Sequence, residues 1–297
     1  MKRKIIKQGI GGNTIFLPIK WVRNNNLTAG NEIELSEEDN KLVLTSSEFK
    51  KPIKKIAITL ESTDYNTIRS YIGGFYRAGY DEIQINFINS KTIQILHKII
   101  DSLEGFDIFD IKKDSCIIKS ILQINEINVR SHFLKMIYTI TVLQETIMDS
   151  IKNKKYNTKN EIFELRNKTL KQRDFICRSL IQLKLLDTSH FPYYQLSFNL
   201  WTIARNYSNI YDALLTRKQI TQKNKYFLEK TNKFFQDFFN RIKEHSHSNM
   251  HNHYKSLIKE GIKLMSEKNE ASIILSYCIN ILMITQSSNS QILIINL

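Results

Sequence analysis

Cysteine, proline and glycine are scarce in this chain of 297 residues, with three, three and nine copies. Cys116, Cys177 and Cys278 are scattered, with no close pair and no metal-ligand spacing. They read as small buried hydrophobes of a reducing cytosol. Long apolar runs are also missing. The longest, Ala271 to Thr285, contains Asn280 and falls short of the ~20 residues that a spanning helix needs. It reads as a bundle helix, so no membrane insertion is expected. The basic start runs directly into a strand pattern, which is not how a signal peptide is built, and a cytoplasmic location is the expectation. No serine or cysteine sits in a nucleophile elbow and no acid pair marks hydrolysis, so neither a catalytic residue nor a cofactor is assigned. Acids are absent from the first 31 residues: Lys2, Arg3, Lys4, Lys7, Lys20 and Arg23 all precede Glu32.

What is present is a 42% hydrophobic composition, enough for two or three domains, and a formal charge of +14. The charge is unevenly spread. Residues 1–48 carry 7 basic and 6 acidic groups, whereas residues 125–297 carry 25 and 14. Such an excess attracts nucleic acid, phosphate or an anionic surface. The sequence is also crowded with Ile, Lys and Asn, as AT-rich coding produces, and that accounts for most of the charge on its helical half.

Residues 1–48 read as four short strands around one small helix. Strands are expected at Lys4–Lys7 and Thr14–Leu17, with Gly11 and Gly12 supplying the positive backbone angles of the turn between them. Pro18 opens a helix over Ile19–Asn25, placing Trp21 and Val22 inward and Lys20 and Arg23 outward. Thr28-Ala29-Gly30-Asn31 turns the chain into Glu32–Leu35, where apolar and acidic residues alternate. Glu37–Asn40 turns it again into Leu42-Val43-Leu44. A piece this small buries little core alone and needs a second copy.

This order resembles the SpoVT/AbrB swapped-hairpin family of dimeric DNA-binding domains. The resemblance rests on Phe16-Leu17-Pro18-Ile19-Lys20-Trp21-Val22, the Leu27-x-x-Gly30-x-x-Ile33 spacing and the acidic turn before Leu42. It implies a homodimer with interleaved hairpins whose first strand and helix present basic residues to DNA. Lys4, Lys7, Lys20 and Arg23 occupy the matching places.

Lys50–Lys55, with Pro52, marks a boundary. Residues 55–123 alternate between two periods: strand Ile56–Leu60, helix Asp64–Ala78, strand Glu82–Phe87, helix Ser90–Glu104, and strands Phe106–Ile111 and Ser115–Leu122. Ser62 or Asp64 can cap the first helix, and Gly79 and Gly105 end the two helices. This is a small α/β layer. From residue 124 to 297 the period is helical. Leu196, Leu200, Ile203, Tyr207, Ile210 and Leu214 form one seam of a bundle. Helices are expected at about 126–153, 158–187, 191–217, 221–245, 249–267 and 270–286, antiparallel and in two groups of three. Asn157, Ser189 with Pro192, and Thr221 mark breaks. The fold class is thus α+β, predominantly helical, with domains at 1–48, 55–123 and 124–297.

The domain order resembles the archaeal-type PhoU family of phosphate uptake regulators. The carrying residues are Ile68-Arg69-Ser70-Tyr71-Ile72-Gly73-Gly74, Tyr76-Arg77-Ala78-Gly79-Tyr80-Asp81-Glu82-Ile83 and the stretch Leu200 to Tyr207. PhoU-like bundles place paired acids one helical turn apart to hold metal clusters. Here Trp201 and Arg205 stand where acids are expected, and Lys168 follows Glu161 and Glu164. A cation would be repelled and an anion could be held instead, so no carboxylate metal cluster is expected.

Three other patterns have competing readings. His245, His247, His251 and His253 could bind zinc, nickel or copper, but their polar surroundings read as a solvated linker. Gly9-Ile10-Gly11-Gly12 leads into a strand rather than a helix, so it is a hairpin turn and not a phosphate cradle. Gly73-Gly74 suggests close helix packing. Phe234-Phe235 and Phe238-Phe239 suggest core or an oligomer contact. The expectation is a cytoplasmic homodimeric regulator that binds DNA through Lys4, Lys7, Lys20 and Arg23. By resemblance it would adjust phosphate uptake or its genes, with a transporter subunit or signalling protein as partner. The alternative is an adaptor that dimerises through the head and binds a transporter ATPase or sensor kinase without touching DNA.

Overall fold

The computed structural model describes residues 2–38, 41–46, 53–122, 126–183, 191–217, 220–244, 250–267 and 272–295. It divides into two compact units, Met1–Ile53 and Lys54–Leu297. Residues 50–52 of the basic connector lie outside the described residues, and Lys55 already belongs to the first strand of the second unit.

In the first unit, β1 (Ile6–Gln8) pairs antiparallel with β2 (Gly12–Thr14), and β3 (Ile33–Glu38) with β4 (Lys41–Ser46). The two hairpins form separate sheets. Between them lies α1 (Ile19–Asn24), entered through Pro18. The first hairpin is tighter than expected, its strands closing two residues nearer the turn. Gly9 (φ 67°) and Gly11 (φ 96°) carry the positive angles, rather than Gly11 and Gly12. Asn31 closes the later turn by accepting from the Thr28 N–H at 2.6 Å and Oγ1 at 2.9 Å. Trp21 and Val22 are only half-buried, a correction to their expected inward placement. The unit supplies too few neighbours to enclose them.

The second unit begins with β5 (Lys55–Leu60), α2 (Tyr65–Arg77), β6 (Glu82–Phe87), α3 (Lys91–Ile100), β7 (Phe106–Phe109) and β8 (Ser115–Ser120). The sheet order is β5-β6-β8-β7; β5 and β6 run parallel and the other pairs antiparallel. Alternation in β6 sends Ile83, Ile85 and Phe87 inward and leaves Gln84 and Asn86 exposed, so one face carries the core. That core joins Ile68, Ile72 and Tyr76 of α2 to Leu96 and Ile99 of α3. Asp64, not Ser62, caps α2, its carboxylate accepting from the Thr67 N–H at 2.7 Å. The hydrogen bonds from Thr67 hold that carboxyl below its ordinary pKa. The Ser62 hydroxyl instead accepts from the Asp64 N–H at 3.0 Å.

Six helices follow: α4 (Glu126–Asn153), α5 (Lys159–Gln182), α6 (Phe191–Arg217), α7 (Gln222–Glu244), α8 (His251–Ser266) and α9 (Ser272–Ile295). Helices α4, α5 and α6 pack on one another, as do α7, α8 and α9, and α6 against α9 joins the two trios. One core runs through both and takes in the seam from Leu196 to Leu214 and all five phenylalanines of α7. Two phenols tie it together. Gln144 donates to the buried Tyr207 hydroxyl at 2.7 Å, and the Tyr211 hydroxyl accepts from the Thr158 N–H at 3.0 Å. Helix α9 runs nine residues past its expected end at 286, because Ser287 and Ser288 bond back to the Ile284 carbonyl without breaking it. No helix among the described residues is long and apolar enough to cross a membrane. The fold is α+β, with small sheets and a C-terminal helix set.

Candidate functional site

Two places in the molecule concentrate positive charge. The first is the opening unit. Lys4 and Lys7 lie on and before β1, Lys20 and Arg23 on α1, and all four are exposed. No ion pair joins any of them to an acid among the described residues. Their charges are therefore not neutralised locally. The same unit has no buried residue among those whose burial is described. Ile5 and Phe16 are each 71% exposed, and Ile15, Ile19, Leu35 and Leu42 are exposed as well. Apolar residues spaced along both hairpins and the helix are thus left uncovered.

The second place was not legible as a site in the sequence. On α5, Asp174 is fully buried and accepts from three guanidinium groups. Arg69 Nη2 reaches Oδ2 at 2.6 Å, Arg77 Nη1 reaches Oδ1 at 3.0 Å, and Arg173 reaches Oδ1 through Nη2 at 2.6 Å and Nε at 3.1 Å. Burial on its own would raise the Asp174 pKa, but Arg173, Arg69 and Arg77 together outweigh it and hold the carboxyl below its ordinary range. Gly73 makes this convergence possible. Its missing Cβ would stand 2.1 Å from Arg69 Nη1 and 3.2 Å from Arg77 Nη1. The expected role of Gly73-Gly74 in helix packing is therefore corrected. Gly73 clears a path for two arginines of its own helix, and nothing lies within 4 Å of a Cβ at Gly74.

One turn further along α5, Arg178 closes the end of α2. It donates to the Tyr76 and Tyr80 carbonyls at 3.1 and 2.6 Å and to Asp81 Oδ1 at 3.1 Å. Its guanidinium also lies over the rings of Tyr76 and Phe106, at 5.0 and 4.7 Å from their centroids. A cation there complements the negative end of the α2 dipole. Gln182 adds a bond to Asp81 Oδ1 at 2.6 Å. The turn fits because Gly79 (φ 77°) has no Cβ; an added one would press on Ile181 at 3.0 Å. Asp174, Arg178 and Gln182 thus lock α5 onto α2 and the turn after it with charge-assisted bonds.

The other residues singled out in the sequence are more dispersed. Glu161, Glu164 and Lys168 are exposed on α5. Trp201 is half-buried and draws two guanidinium groups, Arg173 at 4.6 Å and Arg205 at 5.8 Å from its ring centroid. His251 and His253 open α8, facing the rings of Tyr254 and Phe234, whereas His245 and His247 lie outside the described residues. Among the described residues, no group of three or more His, Cys, Asp or Glu could hold a metal ion. Cys116, Cys177 and Cys278 are all buried and free. Neither a protein family, nor a curated protein, nor a solved structure matches the chain.

Proposed function

We propose that the chain is a homodimeric, DNA-binding regulator whose opening unit reads duplex DNA and whose helical unit carries the regulatory input. The observation behind this reading is the first unit itself. It has no buried residue among those described, uncovered apolar side chains on both hairpins and α1, and four exposed cations without local acids. A second copy that interleaves its hairpins, in the SpoVT/AbrB manner, would cover Ile5, Phe16, Leu35 and Leu42. It would also bring two sets of Lys4, Lys7, Lys20 and Arg23 onto one face, where they neutralise DNA phosphates. The helix set then stands as a PhoU-like bundle, and the regulated process as phosphate uptake.

The test is titration of the full chain onto duplex DNA across a salt series. Two copies of four cations meeting about eight phosphates give a slope of roughly −7 in log affinity against log salt. Lys7→Glu with Arg23→Glu removes half of those contacts and should flatten the slope to less than half, with severe loss of binding. Unchanged binding in that double variant refutes the assignment. A stable dimer without salt-dependent DNA binding favours the adaptor reading.

A further inference from the structure

The cluster around Asp174 is unbalanced. Three guanidinium groups surround a single carboxylate, which leaves two positive charges without an acidic partner among the described residues. Arg205 adds a further cation at the exposed rim beside Trp201. Each guanidinium beyond the first costs desolvation without an ionic partner of its own. The hydrogen-bonding capacity is also in excess. Three arginines carry fifteen N–H donors between them, and only four bonds run to Asp174.

The cluster is not sealed. The side chains of Arg69 and Arg77 remain 12% and 24% exposed, against 8% for Arg173. Gly73 leaves room on the buried surface of α2 for the Arg69 guanidinium, with that of Arg77 beside it. On the α6 side the half-buried Tyr194, Phe198 and Trp201 follow one helical stripe, and Arg173 lies 4.9 and 4.6 Å from the ring centroids of the last two. Aromatic faces hold a guanidinium in a fixed plane while leaving its edge donors free for oxygen atoms.

We infer that Arg69, Arg77 and Arg173, held in place by Asp174, form a binding site for a dianionic oxyanion such as a phosphoryl or sulfo group. Two uncompensated charges select a dianion, and planar guanidinium forks match its oxygens in pairs. Asp174 acts as the post that orients the forks, and Arg205 as the exposed cation that draws the ligand in. Because α2 belongs to the α/β layer and α5 to the helix set, such an anion would tighten the junction between them.

Isothermal titration calorimetry of the full chain tests this with inorganic phosphate, sulfate and a nucleoside monophosphate, each at ionic strength matched by chloride. Saturable binding of phosphate or sulfate supports a site for the free ion. Binding of the monoester alone supports a site for the same group on an organic carrier. In either case Arg77→Gln should weaken binding about tenfold or more. Arg205→Gln, at an exposed position, should slow association and weaken binding less. Lys233→Gln, at an exposed position of α7, should change nothing. Failure of all three anions to bind above chloride overturns the inference, as does equal binding by the wild type and the Arg77 and Arg205 variants. The DNA titration is independent of these outcomes, because its cations lie in the other unit.

Discussion

Replacing Asp174 by asparagine removes the only negative charge paired with Arg69, Arg77 and Arg173 among the described residues, while preserving shape almost atom for atom. The side chain has no solvent exposure, so water cannot take over the carboxylate's role. An asparagine offers one acceptor oxygen where two carboxylate oxygens stood, and its amide points hydrogens at a guanidinium. Removing one partner of a buried ion pair costs about 3–5 kcal/mol. Arg69 and Arg77 retain 12% and 24% side-chain exposure and can swing toward water, which places the expected loss near the lower end, about 3 kcal/mol. For a domain of this size that corresponds to a fall in Tm of roughly 6–12 °C. Urea denaturation followed by circular dichroism gives the direct comparison, with the slope m checked for constancy. The pH dependence carries a second signature. Asp174 has a folded pKa below its unfolded value, so its stabilisation is complete above about 3.9 and is lost as pH falls through the folded value. The gap between wild type and Asp174→Asn should therefore be widest near neutrality and narrow in acid. A loss under 1 kcal/mol at neutral pH, with m unchanged, would show that the three arginines need no common anchor.

The role of Gly73 yields an outcome that changes sign with background. Alanine there should displace the Arg69 guanidinium, losing a charge-assisted bond of about 1.5–3 kcal/mol against a helix-propensity gain of about 1 kcal/mol. In the wild type Gly73→Ala should destabilise, whereas with Arg69→Ala already present it should stabilise; equal effects in both backgrounds would refute the steric argument. Burial pushes the Cys116 and Cys177 thiols up to about 11 and Cys278 up to about 12. Iodoacetamide at pH 8 should therefore leave all three unmodified by mass spectrometry until denaturant is added.

Much of the second unit was readable because local signals agree. Asp64, Gly79 and Thr221 sit at helix ends as expected and the 3.6-residue period between them is strong, whereas α3 stops at Ile100, short of its expected end at Gly105. The six long helices consequently lie close to their expected positions, apart from the end of α9. A serine hydroxyl that bonds to a carbonyl three or four residues back lets a helix continue, and sequence gives no sign of that choice. The head was harder to read. Its strands are short, and without enclosing neighbours the half-buried Trp21 has no fixed inner side.

The Asp174 cluster escaped for a different reason. Its members are 97 and 105 residues apart along the chain, so no window of local periodicity contains them. Their traces were nevertheless visible. Arg69, Gly73, Arg77, Gly79 and Asp81 all fall within two of the three stretches on which the PhoU resemblance rested, and each has a physical task in the junction. The adjacent charges Arg173-Asp174, followed by the apolar Phe175-Ile176-Cys177, were the other sign. A charged pair that interrupts the buried stretch of a helix must find partners elsewhere in the fold.

The separation between α2 and α5 also sets an order of events during synthesis. Residues of the α/β layer leave the ribosome about 100 positions ahead of Asp174, the span of the Arg69 and Arg178 bonds being 105 and 102 residues. At common elongation rates that is an interval of roughly 5–20 s. Throughout it the nascent layer displays Arg69 and Arg77 without their anchor, and the carbonyls at the end of α2 without Arg178. Emergence of α5 ends that stage by supplying Asp174 to the two arginines and Arg178 to the carbonyls.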